Sequence, residues 1–236
     1  MSRKRFGKWL FCVAALALQM LCAQIRVAET TSELRLRIIP STAGKQRFVP
    51  AVIWLEPLAG TDSPPFLPHG HYTLQQKNRT FIPHLQVIPT GSSVEFPNGD
   101  PFFHNVFSLF DGKRFDLGLY EAGSSKSVVF PREGISYIFC NIHPEMSAVV
   151  LTLSTPFFAI AAANDAFVLP DIPAGDYRLH VWIESVPPSI LSGLNRNVHL
   201  SGRPVDLGQI KIPIPALANH DNKFGSAYDP VPKPIY

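Results

Sequence analysis

Between Tyr72 and Leu153 the chain never keeps a helical period for three turns, and this limits its fold more than any other feature. Short apolar runs follow one another instead: Tyr72 to Gln75, Leu85 to Ile88, Ser93 to Phe96, Asn105 to Phe110, Ser127 to Phe130, Ser136 to Phe139 and Ala148 to Leu153. Turn-forming strings separate them, among them Ile82-Pro83, Gly91, Asn98-Gly99-Asp100 and Pro131 to Gly134. Runs of strand length cut by Gly, Pro, Asn and Asp specify β structure. Many short strands bury their apolar faces by stacking two sheets or closing a barrel. The expected fold class is therefore all-β, a Greek-key sandwich or barrel.

The flanking segments follow the same grammar. Glu33 to Pro40 alternates charged and apolar residues, the period of a half-buried strand, and Ala51 to Leu55 is a second strand. Residues 24–32 read as a flexible lead-in and Ala59 to Gly70 as a loop. After Thr155-Pro156 a smaller all-β module begins: strands at Phe157 to Ala161 and Ala166 to Leu169, a turn at Pro170 to Asp176, then Tyr177 to Ile183, Val198 to Leu200 and Val205 to Ile212. From Pro213 onward the chain is rich in Pro, Asn and Asp without periodicity, an extended tail that could pack on the surface or remain disordered. The expected division is 1–23 export signal, 24–70 N-terminal β segment and loop, 71–154 main sandwich, 155–213 second module and 214–236 Pro-rich tail. Residues 33–58 either complete the second module, which would make the main sandwich an insertion, or extend the main sheet.

The N-terminus has the form of an export signal. Arg3, Lys4, Arg5 and Lys8 precede an apolar stretch from Trp9 to Cys22 that is short for a membrane span, and Ala23 is a fitting cleavage point. An uncleaved anchor is the alternative; a lipid attached at Cys22 is disfavoured by the bulky Leu21. Cleavage would remove four basic residues and no acidic ones, taking the formal charge from +3 to −1. Nothing then suggests a nucleic-acid partner. No second long apolar segment occurs, so the expectation is an exported protein, periplasmic or extracellular, without stable membrane insertion.

Cleavage would also leave one cysteine, Cys140, and one methionine, Met146. A lone cysteine in an exported chain has no internal disulfide partner, so it is inert, intermolecular or a ligand. Here the two scarce sulfur residues bracket a histidine in Cys140-Asn-Ile-His143-Pro-Glu-Met146, and a second string, Pro101-Phe-Phe-His104-Asn105-Val, lies upstream. One thiolate, two imidazoles and a weak thioether are the ligands of a blue-copper electron-transfer centre. Cys140 ends a strand, and a tight loop returns the chain into Ala148 to Leu153, so one loop can deliver three ligands while His104 arrives from a neighbouring strand. Pro144 stiffens that loop and removes an N–H. Asn105 is placed to cross-link the two ligand segments or to help fix the thiolate. Zinc is the competing metal for a two-nitrogen, one-sulfur site.

These residues, with Phe81-Ile-Pro and Val94-Glu-Phe-Pro-Asn, resemble the cupredoxins, the plastocyanin and amicyanin family, over roughly Tyr72 to Ser154. The short ligand loop C-x-x-H-P-x-M is most similar to the amicyanin version. The resemblance implies a cupredoxin sandwich holding one type 1 copper ion, with His104, Cys140 and His143 equatorial and Met146 axial. It also implies an electron carrier that passes its electron through His143 to a redox partner protein. Phe167 to Trp182 resembles the repeat core of carboxypeptidase-regulatory-like domains, a transthyretin-like sandwich, and implies no chemistry of its own.

No nucleophile elbow, Gly-rich phosphate loop or H-E-x-x-H occurs, so no enzyme activity is expected. Two other functions use the same residues or none of them: copper binding for delivery without electron transfer, and a metal-free scaffold or adhesive sandwich. His69 and His71 flank a glycine in a loop and read as surface residues; His84, His180, His199 and His220 join no constellation. Phe102 and Phe103 are candidates for an apolar collar beside the metal, although core packing is the commoner fate of such pairs.

Overall fold

The computed structural model describes residues 30–41, 49–68, 71–109, 112–162, 165–213 and 221–226. The expected export signal with Ala23 lies outside these residues, as do His69 and His220. The N-terminal strands are β1 (Thr31–Pro40) and β2 (Pro50–Pro57). The middle of the chain supplies β3 (Tyr72–Thr73), β4 (Gln75–Lys77), β5 (Thr80–Ile82), β6 (Leu85–Pro89), β7 (Ser93–Pro97), β8 (His104–Ser108), β9 (Phe115–Tyr120), β10 (Ser125–Val129), β11 (Gly134–Phe139) and β12 (Ser147–Leu153). There follow β13 (Phe158–Ala162), β14 (Ala166–Pro173), β15 (Gly175–Ile183), a five-residue helix α1 (Pro188–Ser192), β16 (Arg196–Leu200) and β17 (Val205–Ile212). The fold is all-β.

Two apolar cores organise these strands. The first lies among β3–β12: a five-stranded sheet ordered β6-β12-β11-β8-β9 faces a three-stranded sheet ordered β10-β7-β3. Its buried residues include Leu74, Val94, Phe96, Tyr120, Phe130 and Val150, together with Cys140 and Met146. Sheet neighbours distant in sequence, such as β12 beside β6, are the crossovers of Greek-key connectivity. The second core lies between a sheet ordered β14-β1-β17 and one ordered β13-β2-β15-β16. Leu34, Leu36, Ile38, Ile53, Leu55, Phe167, Tyr177 and Trp182 fill it, each at most 2% exposed. Alternation along β1 sends these leucines and Ile38 inward and Arg35 and Arg37 to solvent. Residues 31–57 thus pair with strands of residues 158–212.

Strand β12 explains why Ala148 to Leu153 is apolar without alternation. Ala148 and Val150 face the first core, and Val149 and Leu151 belong to the second. Both faces of the strand are covered, which calls for apolar residues at successive positions. Its register fixes both neighbours: Val149 to Leu153 run parallel to Leu85 to Pro89, and Ser147 to Thr152 run antiparallel to Gly134 to Phe139.

Several segments depart from the sequence expectation, the short β4–β5 hairpin and the helix α1 among them. Strand β9 was hidden because Gly118 takes φ +65° and the β8–β9 register shifts between Asn105 and Phe107, which breaks the apolar period. Pro170 to Asp176 is not one long turn: β14 continues to Pro173. It lies at a sheet edge, where a proline costs no ladder bond, and Asp171 at φ +55° marks an irregularity there. The lead-in before residue 33 is also shorter than expected, because Thr31 and Ser32 already pair with Pro173 and Ile172.

Candidate metal centre

The site is built where three strand ends meet. Phe139, the last residue of β11, pairs with Phe107 of β8 on one side and Ser147 of β12 on the other. Cys140 and His104 are thereby brought to the same end of the five-stranded sheet. The loop from Cys140 to Met146 closes on itself: Met146 N–H donates to the His143 carbonyl at 3.0 Å, and Cys140 N–H donates to the Met146 carbonyl at 3.3 Å. Pro144 follows His143 within this closed turn, half-buried and without an N–H to satisfy. His104, Cys140 and Met146 are fully buried, whereas His143 is half-buried.

Three ligand-type atoms converge. His104 Nδ1 lies 3.7 Å from Cys140 Sγ, His143 Nδ1 lies 3.6 Å from the same sulfur, and the two nitrogens stand 3.1 Å apart. One ion about 2.0–2.1 Å from each nitrogen and about 2.3 Å from the sulfur, in a trigonal plane, spaces them about 3.5 and 3.8 Å apart. The observed triangle is close to that size, so the residues fit a single metal ion. Among the described residues this His104–Cys140–His143 group is the one cluster of its kind. Met146 lies in the same core as Cys140, its backbone bonded to Cys140 and His143.

The hydrogen bonds around the triangle fix its chemistry. His104 Nε2 faces Asp100 Oδ2 at 2.9 Å. That carboxylate also accepts Asn78 N–H at 2.7 Å and Arg79 N–H at 3.0 Å. Burial pushes the Asp100 carboxyl up, but the Arg79 N–H, the His104 imidazole and the Asn78 N–H outweigh it and hold it below the usual range. An ionised carboxylate needs a proton on Nε2, which leaves the Nδ1 lone pair aimed at Cys140 and His143. A carboxylate behind a histidine is the usual way to orient a metal ligand. Asp100 escaped the sequence reading because Asn98-Gly99-Asp100 has turn composition; its spacing four residues before His104 was the available signal.

Burial pushes the Cys140 thiol above its usual range, against the N–H groups of Asn105, Ile142 and His143, which favour the thiolate. A bound cation would tip that balance, since a coordinating thiol loses its proton outright. Burial, then the neighbouring His104, hold the His143 imidazole below its usual value, so it is neutral at pH 7 and able to act as a ligand. Asn105 serves the sulfur through its backbone N–H rather than its amide. The amide Nδ2 donates instead to Asp116 Oδ1 at 2.7 Å. Phe102 lies against both imidazoles, its ring centre 5.2 Å from His104 and 5.5 Å from His143, while Phe103 is largely exposed.

The other described histidines lie elsewhere. His71 is exposed. His84 contacts the Ser147 carbonyl at 3.0 Å and Glu184 at 2.6 Å. His180 stacks on Trp54 and meets Glu56 at 2.8 Å, and His199 meets Asp176 at 2.8 Å. No helix among the described residues is long and apolar enough to cross a membrane.

No family model matches the chain, and no curated protein matches it. Solved structures similar to part of it include a Cu-containing nitrite reductase (NirK) from Thermus scotoductus SA-01, at 24% identity and TM-score 0.35. The match covers 42% of this chain and 25% of the reductase, so the chain spans about a quarter of that protein's length. A purple cupredoxin from Nitrosopumilus maritimus is similar at 23% identity and TM-score 0.32, over 35% of this chain and 99% of its own. An amicyanin mutant in its reduced Cu(I) form is similar at 16% identity and TM-score 0.34, over 43% of this chain and 98% of its own.

Proposed function

We propose that His104, Cys140, His143 and Met146 hold one type 1 copper ion, and that the protein is an exported carrier of single electrons between redox partner proteins. The observation that carries this reading is the convergence of two imidazole nitrogens and one sulfur within 3.7 Å of one another. Two unprotonated nitrogens 3.1 Å apart repel unless a proton or a cation lies between them. Two imidazoles and a thiolate, with Met146 closing the same loop, would select copper over the harder cations. Copper bound there would supply a one-electron couple between Cu(II) and Cu(I).

The chain's own residues account for the rest. Asp100 holds the His104 tautomer, and the N–H groups of Asn105, Ile142 and His143 steady the thiolate. The closed turn from Cys140 to Met146 would hold Cys140 and His143 in place around a bound ion. Phe102 shields the imidazoles from water, and the half-buried His143 is the natural exit for an electron. We assign the metal site to a module of residues 71–154. Residues 24–70 and 155–213 would form the second module, resembling carboxypeptidase-regulatory-like sandwiches, and 214–236 the tail.

Metal analysis of the protein from its source, followed by voltammetry, tests this reading. One copper per chain with a reversible one-electron wave supports it. Copper that passes readily to a small-molecule acceptor, with no reversible wave, would favour delivery, and stoichiometric zinc would overturn both.

A further inference from the structure

We propose that the C-terminal segment 221–226 is a strap, and that its Lys223 clamps the ligand loop to the strand pair carrying His104. Lys223 is thus a positioning residue for the metal ligands. The inference rests on the metal-site reading above only for its effect on bound metal.

The segment is self-bracing. Asn222 Oδ1 accepts the N–H of Phe224 at 2.9 Å and of Ser226 at 3.2 Å; Gly225 N–H donates to the Asn222 carbonyl at 2.9 Å, and Gly225 takes φ +74°. A tight turn capped by an asparagine side chain needs no periodicity and no apolar face. It holds Lys223 outward at a fixed position, and Lys223 makes two contacts on different parts of the site. Its backbone N–H donates to Asn141 Oδ1 at 2.9 Å, one residue after Cys140. Its Nζ meets Asp116 Oδ2 at 2.8 Å, while Asp116 Oδ1 accepts the Asn105 amide at 2.7 Å, one residue after His104. The path Asn141–Lys223–Asp116–Asn105 therefore bridges the two chain segments that bring ligands together. Asn105 also supplies a backbone N–H to Cys140 Sγ.

The test uses the full chain with Lys223→Gln, which keeps the backbone bond but loses the ammonium, and Lys223→Arg, which keeps the charge. Amide hydrogen exchange is measured on the metal-free protein, so the outcome does not depend on which metal binds. Lys223→Gln is expected to speed exchange at Asn105, Ile142 and His143 about fivefold, with amides of β12 unchanged, and Lys223→Arg to stay near wild type. The effect is modest because the ion pair is partly exposed, where such pairs contribute about 0–1 kcal/mol. Loss of bound Cu(II) to a chelator should quicken by a similar factor. Unchanged exchange at the three amides would overturn the strap, as would a uniform increase through β12. A wild-type protein that fails to bind copper would instead overturn the metal reading and leave the exchange result to decide the strap.

Discussion

Replacing Asp100 with asparagine removes one acceptor oxygen from a buried side chain that serves three donors. Oδ1 accepts Asn78 N–H at 2.7 Å, and Oδ2 accepts Arg79 N–H at 3.0 Å and the His104 imidazole at 2.9 Å. The new amide must aim its NH2 at one of these sets. Aimed at Asn78 it leaves two donors facing each other; aimed at His104 it also forces the imidazole to the other tautomer, with its proton on Nδ1, the atom facing Cys140. A buried donor left unpaired costs about 1–3 kcal/mol. Metal affinity should fall about 10–100-fold, the usual loss when the partner behind a histidine ligand is removed.

The pH dependence of the same variant gives a second reading. The Asp100 carboxyl is held below its ordinary value of 3.8, so its contribution is present above the unfolded value and is lost as pH falls through the folded one. Metal-free wild type should lose stability below about pH 4, and Asp100→Asn should lose less over that range. The assays are chelator competition for Cu(II) and urea unfolding of the metal-free protein. Affinity within twofold of wild type, together with an unchanged urea midpoint, would refute the argument that Asp100 sets the tautomer.

Two further substitutions probe other links. Met146→Leu keeps the apolar volume of a fully buried site and should cost less than about 1.5 kcal/mol of stability. Removal of the thioether should nonetheless raise the reduction potential of the copper form in voltammetry; an unchanged potential would place Met146 outside the ligand set. Leu151→Ala and Val150→Ala face different cores from one strand. Each should lower the same single unfolding transition, the leucine change by about 2–5 kcal/mol. Two separable transitions in calorimetry, with Leu151→Ala moving only one, would show that β12 does not couple the cores.

The proposed ligands stand out in the sequence because Cys140 and Met146 are scarce and their spacing around His143 is chemically narrow. The structure brings the side chains of His104, Cys140 and His143 together. Strands with clean alternation, such as β1, were legible for the same reason that they fold: period-2 burial. What stayed hidden depends on single backbone positions or long-range side-chain bonds. Gly118 breaks the pattern of β9, and Asp171 lets β14 run through a Pro-rich string. Asp100 looked like a turn residue because it is one; its second role appears only when His104 stands beside it. Lys223 reaches Asn141 and Asp116 across 82 and 107 residues, and no local pattern encodes such a contact. The tail's composition allows packing or disorder, and its described part packs on the site.

The most direct measurement is titration of the purified protein with Cu(II), read by visible absorption. An intense thiolate-to-copper band that saturates at one equivalent is expected, absent in Cys140→Ser, while the variant keeps its folded far-ultraviolet circular dichroism. A colourless wild type, or a band that survives in Cys140→Ser, would contradict the copper–thiolate centre on which the functional reading stands.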